Sequence, residues 1–159
     1  MPRRAREDVG PGLRGVNHGG TAVTAEKGNR GVDVITEEIN QLATRVLDAA
    51  FAVHRGLGPG LLESVYEQCL CHELRKQGIR FETQVVLPIR YDGVEIEAGL
   101  RLDIFVERQI ILELKAADGL LPIHEAQLLT YLKLTDCKLG YLLNFNKTLL
   151  KDGIKRIAH

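Results

Sequence analysis

The sequence predicts one α/β domain, a mixed sheet flanked by helices in the order α-α-β-β-β-α-β. Three observations predict it. Two stretches with apolar residues at three- and four-residue spacing come first, the pattern of amphipathic helices. The period then falls to two over three successive segments, the mark of strands. A third helical stretch follows, and behind it the mostly apolar run Leu139 to Phe145, suited to a buried place in a sheet.

Each element has its own signals. Thr36 stands as an N-cap before Glu37 and Glu38, and Ile39, Leu42, Val46, Ala50 and Val53 make the apolar stripe of a helix ending near Gly56. The loop Leu57-Gly58-Pro59-Gly60 leads into a second helix from about Leu61 to Gln77, striped by Leu62, Val65, Tyr66, Cys69, Leu70 and Leu74, with Gly78 as its C′ residue. Ile79, Phe81, Val85, Leu87 and Ile89 then occupy odd positions of an extended segment, and Asp92-Gly93 marks a hairpin turn. Leu100, Leu102, Ile104 and Val106 alternate with Arg101, Asp103 and Phe105, and a short turn near Arg108 brings in Ile110 to Lys115. Pro122 fits the first turn of a third helix running to about Leu134, and Lys151 to His159 is expected to add a last strand or helix.

Residues 1–31 hold seven of the sixteen glycines and show no period, so they read as a disordered leader, with residues 32–159 as the folded domain. The leader carries six basic against three acidic residues, which leaves the domain slightly acidic. Its plainer reading is a floppy tail; the sharper one is a weak electrostatic tether to nucleic acid.

A length of 159 residues fits one domain, and 45% hydrophobic with 26% charged residues excludes a wholly disordered or fibrous chain. No apolar run approaches the roughly 20 residues of a membrane helix, and MPRRAREDVG lacks the apolar stretch of a secretory signal. The expectation is a soluble, cytoplasmic protein with no membrane partner. Lys plus Arg and Asp plus Glu each total 21, so a protein that coats nucleic acid through its overall charge is disfavoured, while a local basic path remains open. Cys69, Cys71 and Cys137 are an odd number, which fits reduced thiols better than a disulfide framework.

Chemistry concentrates on two strands. Period two puts Glu113 and Lys115 on one face and Leu112 and Leu114 on the other. A hairpin with the preceding strand brings the Asp103 carboxylate beside Glu113 if the register allows. Two converging carboxylates repel unless a cation sits between them, and a hard divalent ion, Mg²⁺ or Mn²⁺, resolves the conflict. Lys115 then adds a positive charge able to orient a water or stabilise developing negative charge. Against this stands the plainer reading of an ordinary Glu/Lys pair on an exposed strand face. Gln127, with Thr130, Tyr131 and His124 a turn away, forms a polar strip on the third helix, and Glu63 opens the second helix after a glycine-rich loop. These groups are expected on one side of the sheet.

Gly60-Leu61-Leu62-Glu63-Ser64-Val65-Tyr66 matches the G-x-x-E-x-x-Y signature, and the sequence resembles the GxxExxY proteins of the PD-(D/E)xK nuclease-like superfamily. The resemblance runs over roughly residues 35–159, through RLDIFVERQIILELKA, HEAQLLTYLKL and GYLLNFN. It implies a restriction-endonuclease-like α-β-β-β-α-β core, in agreement with the element order. It also implies catalytic roles for Glu63, Asp103, Glu113, Lys115 and Gln127. Glu63, Asp103 and Glu113 would hold Mg²⁺ (or Mn²⁺), and a water activated by metal and lysine would attack a phosphodiester. Leu102 stands where the superfamily name has proline, a position that does no chemistry.

The function expected is thus a metal-dependent nuclease acting on DNA or RNA. The alternative is a non-catalytic nucleic-acid-binding or protein-interaction module retaining the fold, and a homodimer or protein partner would add substrate grip. Tyr66 and Tyr131 are either packing residues with a hydroxyl at the rim or substrate contacts. Cys69, Cys71 and His72 resemble a zinc cluster only in print, because about 200° separates Cys69 from Cys71 around a helix. Cys137 lacks a partner base for a nucleophile's role, and His54 and Arg55 are candidates for a phosphate contact or a solvated helix end.

Overall fold

The computed structural model describes residues 34–159; the leader expected over residues 1–31 lies outside the described residues. Helices α1 (Glu37–Leu57) and α2 (Glu63–Lys76) precede strands β1 (Phe81–Tyr91), β2 (Val94–Val106) and β3 (Ile110–Lys115). Helix α3 (Pro122–Thr135), β4 (Leu139–Asn144), a short 3₁₀ turn (Leu150–Gly153) and β5 (Ile154–Ala158) complete the order. Local signals and structure agree at the caps. Thr36 accepts the Ile39 amide at 3.3 Å, and Gly78 follows α2 with φ 67°.

The five strands lie in sequence order, with β3 and β4 parallel and every other pair antiparallel. The parallel pair requires a crossover, and α3 supplies it. The sheet separates two apolar layers. Under α1 and α2 lie Ile104, Val106, Leu112, Leu114, Tyr141 and Leu143; under α3 lie Phe105, Ile111 and Leu142. Helix α3 sits so close to β4 that a Cβ on Gly140 would stand 2.9 Å from Leu128 Cδ1, so glycine is needed there for the approach.

β1 and β2 form a long hairpin closed by Asp92 and Gly93 at φ 50° and 74°, the turn that the sequence predicts. Pro88, with no N–H to give, sits where the register slips between Leu87 and Ile89. The strict alternation expected along both strands fails. Phe81, Ile104 and Val106 join the layer under α1 and α2, whereas Val85, Leu87, Leu100 and Leu102 join the layer under α3. The exchange falls between the pairs Thr83↔Ile104 and Val85↔Leu102, where Gln84 adopts φ 53° across from Asp103. A left-handed residue breaks the pleat, and for a side chain other than glycine it costs roughly 1–2 kcal/mol. A period-two reading has no means of seeing it.

Candidate active site

β2 pairs with β1 over nearly its whole length but with β3 at only Ile104↔Leu112, Phe105↔Ile111 and Val106↔Ile110. Beyond Ile104 the two strands part, and carboxylates replace backbone partners. Glu113 Oε1 accepts the Asp103 amide at 3.2 Å, and Asp103 Oδ2 accepts the Leu114 amide at 2.8 Å. The two acids are thereby set side by side. Glu113 shares the α3 face with Ile111 and is only 4% exposed. Burial, followed by the charge of Asp103, pushes its carboxyl up to about 8. Burial also raises Asp103, opposed by the Leu114 amide and the Lys115 ammonium and reinforced by Glu63. Lys115 ends β3, partly buried, and its charge acts on both acids.

The glycine, glutamate and tyrosine of the second-helix signature act together. Gly60 takes φ 100°, open to glycine and strained for other residues. Tyr66, 0% exposed, stacks on Phe145 with centroids 4.5 Å apart. Its hydroxyl donates to the Gly58 carbonyl at 2.6 Å and accepts the Leu61 amide at 3.1 Å, which folds the loop back onto α2. Glu63, the first residue of α2, then reaches the Ala116 amide just beyond β3 at 3.2 Å. Two expectations need correction. Tyr66 is no rim residue, since its hydroxyl is consumed inside the loop. Glu63 approaches from the α1/α2 layer, so the candidate site straddles the end of β3 and is not confined to one side of the sheet.

On the α3 side Gln127 Nε2 donates to the Tyr131 hydroxyl at 2.8 Å. Tyr131 is 2% exposed, not at the rim, and burial and then the Glu113 charge raise its hydroxyl pKa, which places it in the field of the acids. His124 Nδ1 accepts the Leu121 amide at the start of α3, and the Thr130 hydroxyl donates to the Ala126 carbonyl, so both serve their own helix.

Sequence reasoning missed three residues near this centre. Asn144, fully buried at the end of β4, grips Ala117 by both atoms: Oδ1 accepts its amide at 3.1 Å and Nδ2 donates to its carbonyl at 2.9 Å. That clamp fixes the chain two residues after Lys115. An amide closing an apolar strand was the available signal, since a buried amide must find partners. Glu67 lies one turn after Glu63 on the same helix face, a spacing legible in the sequence. Gln84, its partner, carried no signal.

The remaining candidates are structural. His54 is buried with Nε2 2.7 Å from the Lys147 carbonyl, neither a phosphate contact nor a solvated helix end. All three cysteines are free; burial pushes Cys71 up to about 11 and raises Cys137, which keeps both as thiols. Among the described residues, no three His, Cys, Asp or Glu side chains are gathered closely enough to hold a metal ion by themselves. Among them, too, no helix is long and apolar enough to cross a membrane.

The sequence model of the PD-(D/E)XK nuclease superfamily matches residues 40–157. The chain belongs to this superfamily. Its mixed sheet with helices on both faces is consistent with the superfamily's restriction-endonuclease-like fold. No curated protein matches the chain. Among solved structures, the crystal structure of SSO0001 is similar, with 24% identity over 60% of this chain and a TM-score of 0.45. The chain covers 49% of that structure, about half its length.

Proposed function

We propose that this superfamily member is a GxxExxY-type nuclease that hydrolyses phosphodiester bonds of DNA or RNA with a divalent metal ion. The observation that carries the reading is the pairing of Asp103 with Glu113 where β2 leaves β3, two residues from Lys115 on the same strand. A carboxyl raised to about 8 by burial and a neighbouring acid is a site short of positive charge.

The donor set fits a hard cation. Magnesium characteristically takes one or two carboxylates and fills its remaining positions with water and substrate phosphate, so three gathered protein acids are not required. Asp103 and Glu113 would hold it, with Glu63 as a further acid at the end of β3. The ion would supply charge neutralisation and polarise a phosphodiester oxygen.

The chain's own groups do the rest. Burial and the Asp103 charge favour the protonated form of the Glu113 carboxyl, and a bound cation would favour its ionised form. The Lys115 ammonium stabilises negative charge that grows on the phosphoryl oxygens as water attacks. Gln127 and Tyr131, locked to one another, keep a fixed polar wall on the α3 side. Leu112 and Leu114 anchor the strand in the opposite layer, so the acid and the amine leave β3 on the same face.

Purified protein with Mg²⁺ or Mn²⁺ on branched, duplex and single-stranded DNA and RNA tests the reading, with Glu113→Gln and Lys115→Ala as controls. Metal-dependent cleavage lost in both variants supports it. Undiminished cleavage in both variants marks a contaminating nuclease. Wild-type protein that cuts none of the substrates points to a non-catalytic nucleic-acid-binding or protein-interaction module.

A further inference from the structure

We infer that Glu67 and Gln84 form a clamp that positions Asp103. It rests on reading Asp103 as an acid of the site. Gln84 stands across from Asp103, between the register pairs Thr83↔Ile104 and Val85↔Leu102. It is the one residue of β1 at positive φ, 53°, and it lies where the apolar residues of both strands pass from one core layer to the other. A glutamine rarely adopts this conformation, and Gln84 does so in mid-strand with its side chain exposed.

The surrounding contact is Glu67. Gln84 Nε2 donates to Glu67 Oε2 at 2.8 Å, which ties β1 to α2 one turn beyond Glu63. Glu67 is partly buried, and the Asp103 charge acts on its carboxyl. Asp103 sits where β2 has lost β3 as a backbone ladder partner and meets it only through the Glu113 and Asp103 carboxylates, while β1 still flanks it on the other side. The clamp pins β1 at that level. It thereby couples the Glu63 helix to the Asp103 strand, two elements with no sequence proximity. Glu67 and Gln84 are positioning residues, acting through Asp103.

Gln84→Gly separates the side chain from the backbone, because glycine accepts φ 53° without strain while losing the amide. Hydrogen exchange read by NMR on the full chain provides the test. The Asp103 and Leu114 amides, bonded to Glu113 and Asp103, should exchange about tenfold faster in Gln84→Gly and Glu67→Ala. The Leu112 and Leu142 amides should keep their rates, and the melting temperature of Gln84→Gly should not fall. Glu67→Gln, which still offers an oxygen to Gln84, should restore most of the protection. Wild-type rates at Asp103 and Leu114 in both disrupting variants, or a rise shared by the whole sheet, would overturn the inference. Mn²⁺ titration separates it from the proposed function: wild-type protein that takes up no Mn²⁺ removes the metal reading and leaves the exchange result to decide the clamp.

Discussion

Glu113 Oε1 takes the backbone amide of Asp103 at 3.2 Å, while Asp103 Oδ2 takes the amide of Leu114, the residue after Glu113, at 2.8 Å. The two side chains continue by their own atoms a ladder that the backbones abandon at Ile104↔Leu112. An amide donor favours a charged carboxylate, but two buried charges side by side disfavour each other, and for Glu113 burial outweighs its amide.

Stability should therefore fall as pH rises. An acid whose folded pKa lies above its unfolded value binds its proton more tightly in the native state. The resulting stabilisation is complete below the ordinary value of 4.5 and is lost as pH climbs through about 8. The slope for one proton is at most about 1.4 kcal/mol per pH unit, shared by the pair as a unit. Thermal melts at several pH values across that window should show the decline in wild type. Glu113→Gln, which keeps an oxygen for the Asp103 amide, should flatten it; an equal decline in that variant would place the titrating group elsewhere.

Mn²⁺ should replace the proton as the source of relief. At a concentration about a hundredfold above its dissociation constant, a ligand of the native state adds about 2.7 kcal/mol. Millimolar Mn²⁺ should raise the melting temperature of wild type, most of all above neutral pH, and Asp103→Asn should weaken the effect. Unchanged melting without binding heat in calorimetry would remove the metal reading.

The element order and the two-residue spacing of Glu113 and Lys115 were legible because they depend on local periodicity. Caps and turns were legible for the same reason, as at Thr36 and at Asp92-Gly93. What escaped depends on the third dimension. The face exchange at Gln84 arises from one left-handed residue that glutamine does not announce. The burial of Tyr66 comes from Phe145, which arrives 79 positions later to stack on it. The approach of Glu63 from the far layer follows from where α2 packs, and periodicity reports only that a face is buried, never against what.

Tyr66→Phe should cost about 1–3 kcal/mol in chemical denaturation, because the stack on Phe145 survives while the Gly58 carbonyl and Leu61 amide lose their shared partner. The loosened loop should also blur Glu63, so metal-dependent cleavage should fall along with stability. A stable Tyr66→Phe with full activity would show that Gly60 and the helix alone hold the loop.

Lys115→Ala should fold, since Lys115 is only partly buried at the end of β3 and no hydrogen bond of the sheet ladder passes through its side chain. Its effect belongs to the transition state. A charge that meets negative character developing only during attack lowers kcat rather than substrate affinity, and removing such a group commonly costs about 10²–10³-fold. Lys115→Arg should recover only part of the loss, because a planar guanidinium spreads its charge where the ammonium concentrates it. Single-turnover cleavage beside an unchanged melting curve is the measurement that decides it. A Lys115→Ala protein that cuts at the wild-type rate would hand the charge-stabilising role to another residue, and one that binds substrate poorly yet cuts normally once saturated would make Lys115 a binding group.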